Sequence, residues 1–378
     1  MINKIKLSNF SLLKEASFQM SDLTVLVGPQ ATGKSLVLQM IKLLEDKKSI
    51  CQQLEQYNYS WKDIDEFAEF YYGEGMHGFL HNTEVVVGKT TINLNSELKY
   101  RRGYARNQKQ KCFYIPAQRV LIIEDGWPKA FETMENSFPY VSRELSATLR
   151  EYLSRMTSIF PVHNRLKSYL RNDIAENIYH NSTVTRAKSR GKNRIQLHVA
   201  NSDHELPVSM ISAGQREFLP LLLSLYCLLP SGHISKVDGL DTVIIEEPEM
   251  GLHPQGIRTV FLSIVELLNR GYRVYVSTHS VDLMNYIWAL RMIQKESGSA
   301  NRGKALEQLL DLKTSQVGQQ MIDRLPNLKT SVYFFERKDN SVTTHDISDL
   351  DLEEEGNISP WGGFLRSASI SADVIASL

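Results

Sequence analysis

The sequence predicts an α/β protein whose sheet is mixed and largely parallel, with helices layered against it, and three observations carry that prediction. The stretch "DLTVLVGPQATGKSLVLQMIKLLED" runs from a β-branched, leucine-rich segment through a glycine loop into apolar positions at helical spacing. The second half alternates strand and helix: "DTVIIEE", "GIRTVFLSIVELLNRG", "YRVYVSTHS" and "VDLMNYIWALRMIQ". No internal repeat or low-complexity linker breaks the 378 residues, a length that suits one large or two modest domains.

Taken in order, "MINKIKLSNFSLL" lacks a long apolar run or small-residue cleavage site and reads as a first strand. Residues 47–80 mix polar and aromatic side chains and read as helical, and "TEVVVGKTTINL" places two β-rich runs around Gly88-Lys89, a hairpin. "CFYIPAQR" is a buried strand stopped at Pro116. Residues 130–178, with "ELSATLREYLSRMTSIF", have helical periodicity without a sustained heptad, so a compact helical lobe is expected and a coiled coil is not. "RIQLHVANSDHELPVSM" returns to strand alternation, and "EFLPLLLSLYCLL" is a buried helix. The expected division is an N-terminal β-containing lobe over 1–118, a helical lobe over 119–180 and a C-terminal lobe over 181–378.

Lys+Arg and Asp+Glu both number 43, so net charge directs the chain to neither nucleic acid nor an anionic membrane. Cys51, Cys112 and Cys227 are far apart, odd in number and without metal-ligand spacing, which predicts buried thiols, no disulfide and no zinc. The longest apolar stretch, Phe218 to Pro230, is too short for a bilayer helix, and a cytoplasmic protein without membrane contact is expected.

"GPQATGKS", Gly28 to Ser35, matches the pattern G-x-x-x-x-G-K-[ST] between a strand and a helix. In that setting the N–H groups of Gly28, Gln30, Ala31, Thr32 and Gly33 converge with a helix N-terminus on phosphate oxygens. Lys34 neutralises the β and γ phosphates and Ser35 offers its hydroxyl to Mg²⁺, which makes ATP and Mg²⁺ the expected cofactors. "TVIIEEPEMGLHPQ" sets Glu246 and Glu247 at the end of an apolar strand. Neighbouring side chains on a strand point to opposite faces, so Glu246 is assigned to the metal and Glu247 to activation of water.

Together with "SAGQRE" and "VSTHS", these motifs resemble, in order, those of a P-loop ABC-type ATPase head of the SMC/Rad50/RecF/OLD-like class over residues 1 to about 288. The resemblance implies that Ser212, Gly214 and Gln215 belong to a signature motif contacting nucleotide held by an opposite protomer, in a homodimer or higher oligomer. It also implies that His279 is the switch histidine sensing the γ-phosphate and Gln118 the glutamine that watches Mg²⁺ and water, with Arg119 beside it as a competing candidate. Pro220 implies a signature helix that starts late or bends. Glu246 stands where the family norm is Asp, which favours slow hydrolysis, and His253 in "MGLHPQ" is a candidate interface residue.

Only a helical lobe fits between Gln118 and Ser212, so the long arm of the strand-tethering members is not expected. Glu336, Asp349 and Asp351 lie within too short a span for the Toprim nuclease of OLD proteins and read as a solvated acidic hairpin and helix. The basic stretches Lys99–Lys111 and Thr185–Arg194 suit DNA contact, but runs of this size are more often solvated hairpin tips. Stand-alone heads of this kind look like the ATPase subunits of bacterial anti-phage systems of the PARIS type. That resemblance implies control of a separate Toprim-type effector nuclease and release by a phage-encoded trigger. A RecF-like DNA-repair ATPase and a transporter ATPase subunit are the alternatives.

Overall fold

The computed structural model describes residues 2–103, 108–131, 137–156, 158–163, 165–189, 191–229, 235–295, 298–312 and 319–350. Among the described residues, ten strands form one mixed sheet. Its parallel centre is Thr330–Lys338, Leu23–Val27, Arg273–Thr278, Thr242–Glu246 and Cys112–Ile115, in that spatial order. A wing adds Ser341–Asp346, then Leu13–Gln19, which pairs parallel with it, then Lys4–Phe10 and the hairpin Glu84–Val87/Thr90–Ile92, the other pairs of the wing being antiparallel. Strands from residues 4–115 and 242–346 therefore share one sheet.

The central strands are buried on both faces, as parallel strands covered by helices must be. Alternation splits them between two cores. Val25, Val27, Val243, Ile245, Val274 and Val276 pack in one core with Phe218, Leu222, Phe261 and Val265 of the helices Ala213–Leu228 and Pro254–Arg270. Leu26, Ile244, Tyr275, Tyr114 and Phe335 pack in the other with Val37, Leu38 and Ile41 of the helix Lys34–Gln56 and with Phe67 of Ile64–Tyr72. Each such aliphatic side chain contributes about 1.5–3 kcal/mol on burial, so the sheet orientation is set by many small terms.

The region expected as a helical lobe contains the helices Tyr140–Ser154 and Ser168–Asn177, but it is not helical throughout. Ser158–Phe160 joins Thr183–Ser189, Lys192–His198 and Glu205–Pro207 in a four-stranded antiparallel sheet, and Ile123–Glu124 pairs with Trp127–Pro128. Ser158–Phe160, Ile123–Glu124 and Trp127–Pro128, at two or three residues each, are too short to show alternation in sequence. The C-terminal hairpin departs further from expectation. Thr330–Lys338 is buried over most of its length and lies beside Leu23–Val27, so it is part of the central sheet rather than a solvated element. Glu336 pairs with Lys338 and His345, while Asp351 lies outside the described residues. Residues 104–107 and 190, within the two basic stretches, also lie outside them. None of the three cysteines, all among the described residues, is in a disulfide; Cys51 and Cys112 are buried as expected, and Cys227 is only partly so. No helix among the described residues is long and apolar enough to cross a membrane.

Candidate functional site

Parallel strands all deliver their carboxyl ends to one edge, and ligands of open α/β sheets bind outside that edge. Here Gly28 follows Leu23–Val27, Glu247 follows Thr242–Glu246, His279 follows Arg273–Thr278, and Ala117 comes two residues after Cys112–Ile115. Register fixes their mutual heights: Val27 lies opposite Thr278 and Glu246 opposite Ser277.

The phosphate loop has the backbone its sequence demands. Gly28 has φ 144°, Ala31 φ 56° and Gly33 φ 87°, values that bulky L-residues avoid. At Gly28 a second requirement is added, since a Cβ there would stand 2.6 Å from the carbonyl oxygen of Phe335 on the C-terminal strand. Thr32 is buried and its hydroxyl donates to the Pro29 carbonyl at 2.9 Å. Gly33 starts the helix Lys34–Gln56, whose N-terminal N–H groups and dipole favour an anion. The Lys34 amine donates to the carbonyls of Gly28 (2.8 Å) and Pro29 (2.6 Å), and burial lowers its pKa against the pull of Glu247, Glu249 and Glu246.

Glu246 lies on the same sheet face as Ile244, whose parallel partner is Tyr114. The Tyr114 hydroxyl donates to Glu246 Oε1, and the Ala117 N–H to Oε2 at 2.8 Å. Burial raises the Glu246 pKa, and hydrogen bonds from Tyr114, Ala117 and Ser35 oppose that rise. The Ser35 hydroxyl and the Glu246 carboxylate therefore adjoin, a pair of hard oxygen donors beside a phosphate loop. That set fits Mg²⁺, which takes one or two protein oxygens and otherwise water and phosphate. Among the described residues no cluster of three or more His, Cys, Asp or Glu forms a cage for a metal.

Glu247 is not the next residue of a regular strand. Its φ is 40°, so the division between the two acids comes from a left-handed turn rather than from strand alternation. Its N–H still donates to the Ser277 carbonyl at 2.9 Å, and its half-buried carboxylate stands 3.7 Å from His279 Nδ1. That is an ion-pair distance, longer than a hydrogen bond. The contact with His279 holds Glu247 below the usual carboxylate value against its partial burial, and raises the His279 pKa in return.

Three residues of the site were not assigned from sequence. Glu249 is buried and accepts from the Thr278 hydroxyl (2.6 Å) and the His279 N–H (3.2 Å), fixing the start of the loop that follows Arg273–Thr278. Tyr114 holds Glu246. Arg119 is fully buried, with its guanidinium on the main-chain carbonyls of Glu217, Glu246, Glu247 and Pro248. Gln118 is exposed in a turn closed by the Leu121 N–H, so of the two neighbours Arg119 is the one hydrogen-bonded to the site's backbone. The spacing "EEPE" and the apolar strand before "PAQR" are signals that could have pointed to Glu249 and Arg119.

Ser212 caps the helix Ala213–Leu228 and exchanges hydrogen bonds with Gln215 in a capping box, while the Gln215 amide also donates to the Ile178 carbonyl at 3.1 Å. The helix starts at Ala213, so the late start inferred from Pro220 does not occur and the proline sits inside the helix. Gly214 lies against the turn after the paired acids: a Cβ there would be 2.6 Å from the Gly251 carbonyl oxygen. His253 is the exposed N-cap of Pro254–Arg270.

Fold and site together define a P-loop nucleotide-binding protein. The chain belongs to the family described as "AAA domain, putative AbiEii toxin, Type IV TA system", which it matches over residues 23–285, and it is accordingly a P-loop ATPase. It is similar to the Old nuclease of Escherichia phage P2, with 35% identity over 71 residues. That match takes in 18% of this chain and 12% of the nuclease. Among solved structures, an SMC head bound to the C-winged helix domain of ScpA is 11% identical with a TM-score of 0.45, covering 92% of this chain and 97% of that one. The SMC head domain from Thermotoga maritima is 10% identical with a TM-score of 0.37, covering 92% and 98%.

Proposed function

We propose that the chain is an ABC-type, Mg²⁺-dependent ATPase that converts ATP and water to ADP and phosphate, in a site completed by a second copy of itself. The observation that carries this reading is the meeting of Lys34 and Ser35 with Glu246, Glu247 and His279 at the carboxyl edge of one parallel sheet. The loop N–H groups and Lys34 bind the phosphates, and Ser35 with Glu246 holds the metal. When bound, Mg²⁺ supplies Lewis-acid stabilisation of charge on the phosphoryl oxygens. Glu247, whose pKa the contact with His279 lowers, takes the proton of the attacking water, and His279, whose pKa the same contact raises, faces the charge that develops on the phosphoryl group. The capping box of Ser212 and Gln215 presents a helix N-terminus as a second anion site, which is what supports assignment of this motif to a partner's nucleotide.

At the level of biology, the reading is a cytoplasmic assembly of the PARIS type in which ATP selects an oligomeric state that restrains a separate Toprim-type nuclease until a phage protein releases it. The family's toxin-related description, the local similarity to a phage nuclease and the pairing of Glu336 with Lys338 and His345 support it. The direct test compares wild type with Glu247→Gln. The variant keeps ATP affinity, loses turnover, and accumulates as an ATP-dependent oligomer by light scattering. Turnover at the wild-type rate would move the base elsewhere. Copurification from the native host then distinguishes a nuclease partner from membrane proteins.

A further inference from the structure

Arg119 occupies an unusual place for a charged side chain. It is 0% exposed, and its fork spans two separate elements. Nε donates to the Glu217 carbonyl of the signature helix at 2.9 Å. Nη1 donates to the Glu246 carbonyl at 3.1 Å, and Nη2 to those of Glu247 at 3.2 Å and Pro248 at 3.5 Å. The carbonyls it grips flank the backbone of Glu247, whose φ of 40° is a conformation that persists only where neighbours over-determine it. The same two elements also touch directly, where Gly214 meets Gly251 too closely to admit a Cβ. The signature helix and the turn bearing the water-activating acid are thus joined twice, once by contact and once by a rigid planar donor.

We propose that Arg119 is a positioning residue that ties the signature helix to the Glu246–Pro248 turn, so that engagement of Ser212–Gln215 sets where the Glu247 carboxylate stands. The inference rests on the ATPase reading above and adds to it an intrachain link between the two motifs. Lysine in this position keeps the charge but brings its donors to one nitrogen, so it does not reproduce the guanidinium's spread, in which separate nitrogens meet the Glu217 carbonyl and those of Glu246, Glu247 and Pro248.

The experiment uses the full chain as wild type, Arg119→Lys, Ser212→Ala and the double variant, with nucleotide affinity, kcat and thermal midpoint measured for each. Arg119→Lys should bind nucleotide within about threefold of wild type while kcat falls at least about thirtyfold, a split that loss of a transition-state interaction produces. In its background Ser212→Ala should cost less than about threefold more, because the pathway it acts through is already cut. Multiplicative losses, wild-type turnover in Arg119→Lys, or loss of nucleotide affinity in step with kcat would each overturn the inference. Failure of Arg119→Lys to fold would do so too, by making Arg119 a core residue. Lys34→Ala separates the levels: if wild type has no turnover, or Lys34→Ala binds nucleotide normally, it is the ATPase reading that fails.

Discussion

The switch loop depends on one buried carboxylate, and removing it gives a quantitative test. Glu249 Oε1 accepts two hydrogen bonds, from the Thr278 hydroxyl at 2.6 Å and the His279 N–H at 3.2 Å, while Oε2 is buried with no hydrogen-bond partner. Hydrogen bonds to a charged group contribute about 1.5–3 kcal/mol each, so Glu249→Ala removes roughly 3 kcal/mol of restraint at the lower bound. If between about half and nearly all of that is expressed in the transition state, kcat falls about tenfold to a hundredfold, since about 1.4 kcal/mol is a factor of ten. Nucleotide affinity should hold, because the hydrogen bonds Glu249 accepts come from Thr278 and His279 rather than from the phosphate loop. Glu249→Gln keeps an acceptor at Oε1 and should stay within about fivefold of wild type. Steady-state turnover with phosphate detection, paired with nucleotide titration, reads both variants. A Gln variant as slow as the Ala variant would refute the hydrogen-bond reasoning and point to the carboxylate's charge on Lys34 and His279 instead.

Other expectations follow from the same geometry. Lys34→Ala should abolish ATP binding in a titration, as it removes the cation at the phosphate loop. The pH profile of kcat should have an acid limb set by Glu246 above the ordinary carboxylate value, and raising Mg²⁺ should move it to lower pH, because metal and proton compete for a carboxylate that burial makes more basic. Its alkaline limb should lie above 6.5, where the raised His279 pKa gives up its proton, and should vanish in His279→Asn. Lys42→Met should destabilise the fold by about 3–5 kcal/mol in urea unfolding, since it leaves buried Asp46 and Glu144 without their shared cation. Although burial alone works against its charge, these carboxylates hold the Lys42 pKa above its unfolded value, so its contribution is complete at neutral pH and is lost only as pH rises through the folded value.

Four of the five strands of the parallel centre were readable because each ends in a motif: glycine loop, paired acids, histidine, proline. What escaped reading was set by distant backbone. Thr330–Lys338 looks in sequence like an acidic hairpin, yet its first six residues are buried beside the phosphate-loop strand, and its carbonyl at Phe335 is one reason Gly28 has to be glycine. Arg119 was legible only as a competitor of Gln118, because its acceptors are main-chain carbonyls that leave no side-chain signature. Glu249 was hidden by its neighbours, since two adjacent acids already satisfied the chemistry sought. Ser158–Phe160 was absorbed into a helical reading, as three residues cannot display a period against the longer helices on either side.

The glutamate at position 246 can then be reconsidered in physical terms. A longer acid at a metal position has one more rotatable bond than aspartate, and the penalty is freedom to leave the productive geometry. In this chain that freedom is constrained from the strand next door: Tyr114 holds one carboxylate oxygen and the Ala117 N–H the other, while the Ser35 hydroxyl adjoins the same group. Each oxygen retains lone-pair capacity for a cation, so restraint and ligation are compatible. On the proposed reading, slow turnover points to the link between the signature helix and Glu247 rather than to glutamate as such. Tyr114→Phe separates these causes: it frees Glu246 without touching Glu247, so it should raise the Mg²⁺ concentration needed for half-maximal turnover while leaving kcat at saturating metal nearly unchanged. A fall in kcat that metal does not restore would show instead that the glutamate's pinning, and not its ligation, limits the reaction.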